Sequence, residues 1–292
     1  MSSILELKGV TKRYQDFALK SIDLTLERGY IMGFIGPNGA GKSTTIKLIM
    51  NLIRKDSGEI RIFGMNHEQD EIAIKQRIGF VYDENHYYEE LTAQEMKNII
   101  RPFYKRWDDA LFNKYARELA LPLNKPIKQL SKGMKMKFAL IVALSHHAEL
   151  LILDEPTSGL DPVIRSEMLD ILRDVMQDEE KSIFFSTHIT SDLDKVADYI
   201  TFLHHGQIVF SHAKDELLER YRIVKGDKLD LLKHRSLFVS VKEHDYGYTA
   251  LTDNGPEVRR QLGDSVLMER PSIEDIMLYT IRKDEHRDVH IN

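Results

Sequence analysis

Short apolar runs and longer segments of helical period alternate along this chain. The runs "YIMGFIG", "AELLILDE", "KSIFFSTH" and "YITFLHHGQIVF" stop at residues 36, 155, 188 and 210, and helical patterns fill the spaces between them. Continuous apolar runs bounded by turns suit strands buried on both faces, so the alternation predicts an α/β architecture around a largely parallel sheet. Between about residues 85 and 147 the strand pattern stops. There "LTAQEMKNIIRPFY", "DDALFNKYARELAL" and "QLSKGMKMKFAL" read as helices with polar faces, which predicts a helical insertion. From about residue 215 the character shifts again. "DELLERYRI" reads as helix, "SLFVSVKE" and "YGYTALTD" as strands about a "HDYG" turn, and "VLMERPSIEDIMLYTIRKD" as strand then helix. Ser272 and Asp275 have capping-box spacing for that last helix. The expected divisions are a domain over 1–215, with its helical subdomain at about 85–147, and a small α+β appendix over 216–292.

Composition narrows the classes. A chain of 292 residues with 42% hydrophobic and 30% charged residues is expected to fold, and it is long enough for one large domain or for a large one with a smaller companion. A net charge of −5 gives no electrostatic footprint for nucleic acid and no basic face for a membrane. The absence of cysteine excludes disulfides, thiolate metal sites and cysteine nucleophiles. No charged-then-apolar leader opens the sequence, and runs such as "FALIVAL" fall far short of the roughly 20 apolar residues that span a bilayer. A cytoplasmic chain that does not itself cross a membrane is the expectation.

The most specific local signal is "GPNGAGKST", comprising Gly36, Pro37, Asn38, Gly39, Ala40, Gly41, Lys42, Ser43 and Thr44. It fits G-x-x-x-x-G-K-[ST], with an apolar strand before it and a helix after it, as phosphate binding requires. Glycines 36, 39 and 41 let the backbone turn its N–H groups toward an anion at the helix N-terminus. Lys42 then reaches the β- and γ-phosphates and Ser43 offers a hydroxyl to Mg²⁺. A glycine-rich turn capping an ordinary helix is the plainer alternative, and the complete motif in its context outweighs it.

The run "LLILDEP" ends in Asp154 and Glu155, two acids at the carboxyl edge of the sheet, where open α/β folds bind ligands. Asp154 suits holding Mg²⁺, and Glu155 suits polarising an attacking water as general base. Taken alone an acidic loop after a buried strand is common; following a phosphate loop it points to catalysis. His188 ends "FFSTH", and spacing alone leaves it open between a γ-phosphate contact and an ordinary strand-end histidine.

With these residues in hand, the chain resembles the ATP-binding subunits of ABC transporters over roughly residues 4–215. Tyr14 matches the aromatic that stacks on adenine, "GPNGAGKST" matches Walker A, "LILDEP" Walker B, "TSGLDP" the D-loop and "STH" the switch histidine. The resemblance implies a P-loop NTPase core of ABC type, ATP and Mg²⁺ as cofactors, a D-loop role for Asp161 at a dimer interface and a γ-phosphate contact for His188. "LSKGM" matches the signature segment, usually L-S-G-G-Q, with Ser131 and Gly133 implied to face the γ-phosphate held by a second subunit. Lys132 and Met134 depart from that pattern. In "IGFVYDEN" Asp83 stands at the Q-loop glutamine position, where an acid can approach Mg²⁺ or water.

"SKGM" together with this acid is similar to ATPase subunits of ABC-2-type exporters, the YtrB-like group among them. By the same resemblance one Walker A per chain implies an ATP-sandwich dimer, homo- or heteromeric. It also implies a separate membrane permease, docked in the groove between the helical insertion and the Asp83 loop. The chain would then lie on the inner face of the cell membrane only through that permease. A regulatory or soluble ABC ATPase uncoupled from transport is the alternative reading.

Overall fold

The computed structural model describes residues 2–83 and 86–288, with side chains through Arg282. Glu84 and Asn85, the end of the expected Q-loop segment, lie outside them. In chain order the first elements are β1 (Ser3–Arg13), β2 (Ala18–Glu27), β3 (Ile31–Ile35), α1 (Lys42–Ile49), β4 (Ser57–Ile62), β5 (Met65–Asn66), α2 (Glu71–Lys75) and β6 (Ile78–Val81). The helical stretch holds α3 (Ala93–Ile100), α4 (Asp109–Glu118) and α5 (Lys132–Leu144). Then follow β7 (Leu150–Asp154), α6 (Pro162–Val175), β8 (Ser182–Thr187), α7 (Thr190–Val196), β9 (Tyr199–His204) and β10 (Gln207–Ala213). The last elements are α8 (Lys214–Arg220), β11 (Arg222–Gly226), α9 (Lys228–His234), β12 (Ser240–His244), β13 (Gly247–Thr252), α10 (Gly255–Leu262), β14 (Leu267–Glu269) and α11 (Ile273–Asp288).

The chain divides into two compact units, Met1–Ser211 and His212–Asn292. In the first, a six-stranded sheet has the order β10-β9-β3-β8-β7-β6. Its central strands pair in parallel, Ile31 opposite Ile183 and Leu150 opposite Ser182. Every residue of β3, β7 and β8 is buried, as strands covered on both faces require. A four-stranded sheet, β2-β1-β4-β5, packs its apolar face into the same core, where Leu5, Leu24 and Ile60 meet Phe34 and Phe184. Its strands are antiparallel, with apolar positions alternating inward along β2. The pattern of apolar runs does not announce this sheet, because period-2 alternation broken by bulges in β1 lacks a continuous apolar stretch.

The helical insertion has its own core of Phe112, Phe138 and Ile141 with Ala93 and Ile127. "YITFLHHGQIVF" is not one run but two strands. His205 and Gly206 both have positive φ, 45° and 71°, the backbone of a tight two-residue hairpin turn.

The second unit is a four-stranded antiparallel sheet, β12-β13-β11-β14, with helices packed about a core containing Val224, Tyr248 and Val258. Here "DELLERYRI" is helix only as far as Arg220. Ile223 and Val224 are buried in β11, a central strand, because a β-branched pair fills the sheet interior better than another helical turn. Ser272 and Asp275 form the expected reciprocal cap on α11, with bonds of 2.9 and 3.1 Å.

Candidate functional site

β3 delivers the chain to the phosphate loop and α1 leaves it. Gly39 and Gly41 take positive φ, 79° and 113°, and Phe17 and Leu19 sit where a side chain on Gly41 would have to go. Gly36 needs to be glycine for a different reason: a Cβ there would lie 2.3 Å from the Leu203 carbonyl oxygen of β9. Gly41 caps α1 without any side-chain oxygen, so the first-turn N–H groups remain available to an anion.

The loop borders a cavity of about 630 Å³. Pro37, Asn38, Gly39, Gly41, Lys42, Ser43 and Thr44 form its floor, while Gly36 and Ala40 are buried away from it. Asp16, Phe17, Asp83, Glu155, Ser158 and His188 complete its lining.

Within this cavity Lys42, Glu155 and His188 are already engaged with one another. Lys42, 7% exposed, donates from Nζ to the Gly36 carbonyl at 2.8 Å and pairs with Glu155 Oε1 at 3.3 Å. The other oxygen of Glu155 accepts from the His188 backbone N–H at 3.2 Å and lies 2.7 Å from its Nδ1. Glu155 holds φ at +50°, a left-handed conformation uncommon for a residue other than glycine, and its N–H is fixed on the Ser186 carbonyl at 2.9 Å. Phosphate-loop lysine, strand-end acid and histidine, far apart in sequence, thus form one chain of contacts.

Asp154 ends β7 and is 2% exposed. Burial pushes its carboxyl above the usual range, against the pull of the Ser43 hydroxyl, and the nearby Glu155 and Asp83 carboxylates push it further. Its Oδ1 is buried with no hydrogen-bond partner among the described residues. An unspent carboxylate oxygen beside a serine hydroxyl is the donor set a hard divalent cation accepts. No group of three or more His, Asp or Glu able to hold a metal occurs among the described residues. A cation here would therefore complete its shell with phosphate and water oxygens, the habit of Mg²⁺.

The other residues singled out from the sequence lie elsewhere. Tyr14 is 49% exposed, outside the cavity lining, with the Lys12 ammonium 5.7 Å from its ring centroid. Ser131 caps α5, its hydroxyl accepting from the Met134 N–H at 3.2 Å, and Gly133 is buried in the same first turn. Asp161 caps α6 with bonds from Val163 and Ile164 at 3.0 and 3.1 Å. Ser131, Gly133 and Asp161 all stand apart from the lining of the phosphate cavity. Asp83 belongs to it, and it also pairs with Lys132 of α5 at 3.9 Å across a second groove of about 660 Å³, walled by Phe80 and Tyr82 on one side and Met136 and Ala139 on the other. Sequence reasoning missed Asp16, Phe17 and Ser158. The signal available was position: the first two follow Tyr14 in one loop, and Ser158 stands three residues after Glu155.

Comparison with known proteins bears on this arrangement. The ABC transporter family profile matches residues 19–158. The bacitracin transport ATP-binding protein BcrA of Bacillus licheniformis is 31% identical, and the match covers 100% of this chain and 97% of the relative. The chain belongs to the ABC transporter ATP-binding family. As an ABC transporter ATP-binding subunit it binds ATP and hydrolyses it. YtrB of Bacillus subtilis is also 31% identical, over 75% of each chain. A solved ATP-binding subunit of an ABC transporter superposes with a TM-score of 0.67 at 28% identity, covering 74% of this chain and 92% of its own. The fold is likewise that of the ADP- and Pi-bound dimeric cassette MJ0796, at TM-score 0.63 and 24% identity, covering 72% of this chain and 98% of its own. No helix among the described residues is long and apolar enough to cross a membrane.

Proposed function

We propose that this chain is the ATPase subunit of an ABC exporter, working as a dimer around two ATP molecules and driving a separate membrane permease. The observation that carries the reading is the distribution of the site. Lys42, Ser43, Glu155 and His188 line one cavity, with Asp154 buried at its edge, while Ser131, Gly133 and Asp161 lie outside it. A second chain bringing its own Ser131, Gly133 and Asp161 to the cavity completes the site.

The triphosphate seats on the loop N–H groups and the N-terminus of α1. Lys42 exchanges Glu155 for the β- and γ-phosphate oxygens. Ser43, Asp154 and Asp83 are the residues that would hold Mg²⁺, which when bound neutralises charge developing on the phosphoryl oxygens. Glu155, released from Lys42 and still oriented by His188, accepts the proton of the attacking water. Tyr14, whose N–H donates to the carbonyl of the cavity-lining Phe17 at 2.7 Å, is the residue proposed to stack on the adenine. The divisions proposed from sequence, 1–215 and 216–292, assign this chemistry to the first domain.

Relatives named for bacitracin transport and, in SrtF of Streptococcus pyogenes at 31% identity, lantibiotic transport support the exporter reading. The groove between Tyr82 and Met136 is the proposed permease dock, which would hold the chain at the inner face of the membrane.

Glu155→Gln tests the base. Steady-state ATP hydrolysis is expected to vanish while size-exclusion chromatography with ATP shows a stable dimer; unchanged turnover overturns the assignment. Co-purification with a membrane subunit distinguishes the transporter from an uncoupled ATPase.

A further inference from the structure

Four residues beyond His188, Asp192 is wholly buried in the first turn of α7. A buried carboxylate is costly unless its oxygens are bonded. Both are. Oδ2 accepts from the Thr157 hydroxyl at 2.6 Å, and Oδ1 accepts from Arg165 Nε at 2.5 Å. Thr157 is itself 1% exposed and stands two residues after Glu155. Arg165 lies one helical turn into α6, its N–H on the Asp161 carbonyl at 3.0 Å, and its Nη2 donates to the Ser191 hydroxyl at 2.7 Å.

Two chain segments, 155–165 and 188–192, are therefore joined by successive rungs. His188 holds Glu155, Asp192 holds Thr157, and Asp192 with Ser191 holds Arg165. The first rung carries the proposed chemistry, and the others fix how the two segments lie beside each other. Glu155 needs that support, since a left-handed non-glycine backbone persists only where its surroundings over-determine it.

We propose that Asp192 is a positioning residue for ATP hydrolysis: through Thr157 and Arg165 it sets the place of Glu155 relative to the segment that carries Asp161. Its side-chain bonds run to Thr157 and Arg165 and not to the phosphate loop, so its loss acts on the chemical step more than on nucleotide binding. This inference rests on Glu155 being the general base.

The test uses the purified full chain and steady-state hydrolysis of ATP with Mg²⁺. Asp192→Ala is expected to lower kcat by up to about 100-fold, the scale of a 1 Å misplacement of a catalytic group, with KM for ATP within about twofold. Asp192→Asn keeps the shape and an acceptor oxygen and is expected to recover part of that loss. Thr157→Val, which removes one hydroxyl, lowers kcat in the same sense, and its effect is not additive with Asp192→Asn, because the two share a bond. Should Asp192→Ala fail to fold, Asp192→Asn and Thr157→Val decide the matter. Normal kcat in those two, or a rise in KM with kcat preserved, overturns the proposal. Glu155→Gln run alongside separates the layers: if it retains turnover the base assignment fails, and if it is inactive while the Asp192 and Thr157 variants turn over normally only the positioning role fails.

Discussion

The Asp154 carboxylate is nearly out of reach of solvent, and one of its oxygens is unpartnered among the described residues. Leaving a buried acceptor unmade costs about 1–3 kcal/mol, and more when the group is charged. The protein carries that cost at the position where a cation is expected. Asp154→Asn should therefore raise the melting temperature measured without nucleotide or Mg²⁺, by the equivalent of about 1 kcal/mol or more, while Mg²⁺-dependent hydrolysis is lost. A melting temperature at or below that of the parent protein would contradict this. At this scale the sequence is highly legible where residue type and spacing are bound to one local shape. The phosphate loop, the paired acids and the helix caps at Ser131 and Ser272 are of that kind. Asp192, Thr157 and Arg165 are not legible, because an aspartate in a helix's first turn looks like any other until packing excludes water from it.

Among the elements, α5 combines two duties at one residue. Ser131 caps it, and the proposed dimer gives the same hydroxyl to a partner's nucleotide. Exchanging a serine cap for alanine costs about 1 kcal/mol, whereas glycine costs only a few tenths. Ser131→Ala should lower both thermal stability and turnover; Ser131→Gly should keep most of the stability and still lose turnover. Equal activity in Ser131→Gly and the parent protein would leave the serine as a cap alone. The parallel strands β3, β7, β8 and β9 are readable from their unbroken apolar runs, and the helices of the insertion from their period, whereas the four-residue parallel strand β6 is too short to stand out. β1, β2 and β11 are not readable either. In the first two, many positions face away from the core, and in the third a short β-branched pair follows a helix without a turn signal. Register with distant strands, Leu5 opposite Ile62 and Val224 opposite Ala250, decides these elements, and no local window contains it.

For the whole molecule, family and fold agree with what the sequence predicts, and the match to BcrA runs through both compact units. The second unit has its own sheet and core, and the phosphate cavity is lined, among the described residues, by residues of the first. That lining omits the signature serine and glycine of its own chain. The consequence is one of reaction order. If each hydrolytic site needs residues from two chains, a solution of this protein far below its dimer dissociation constant contains few complete sites. The rate then grows with the square of the chain concentration until the dimer saturates, and activity per milligram climbs with concentration before levelling off. Assaying hydrolysis across a dilution series at saturating ATP shows this directly, and a specific activity that stays flat down to the lowest concentrations would mean that one chain suffices.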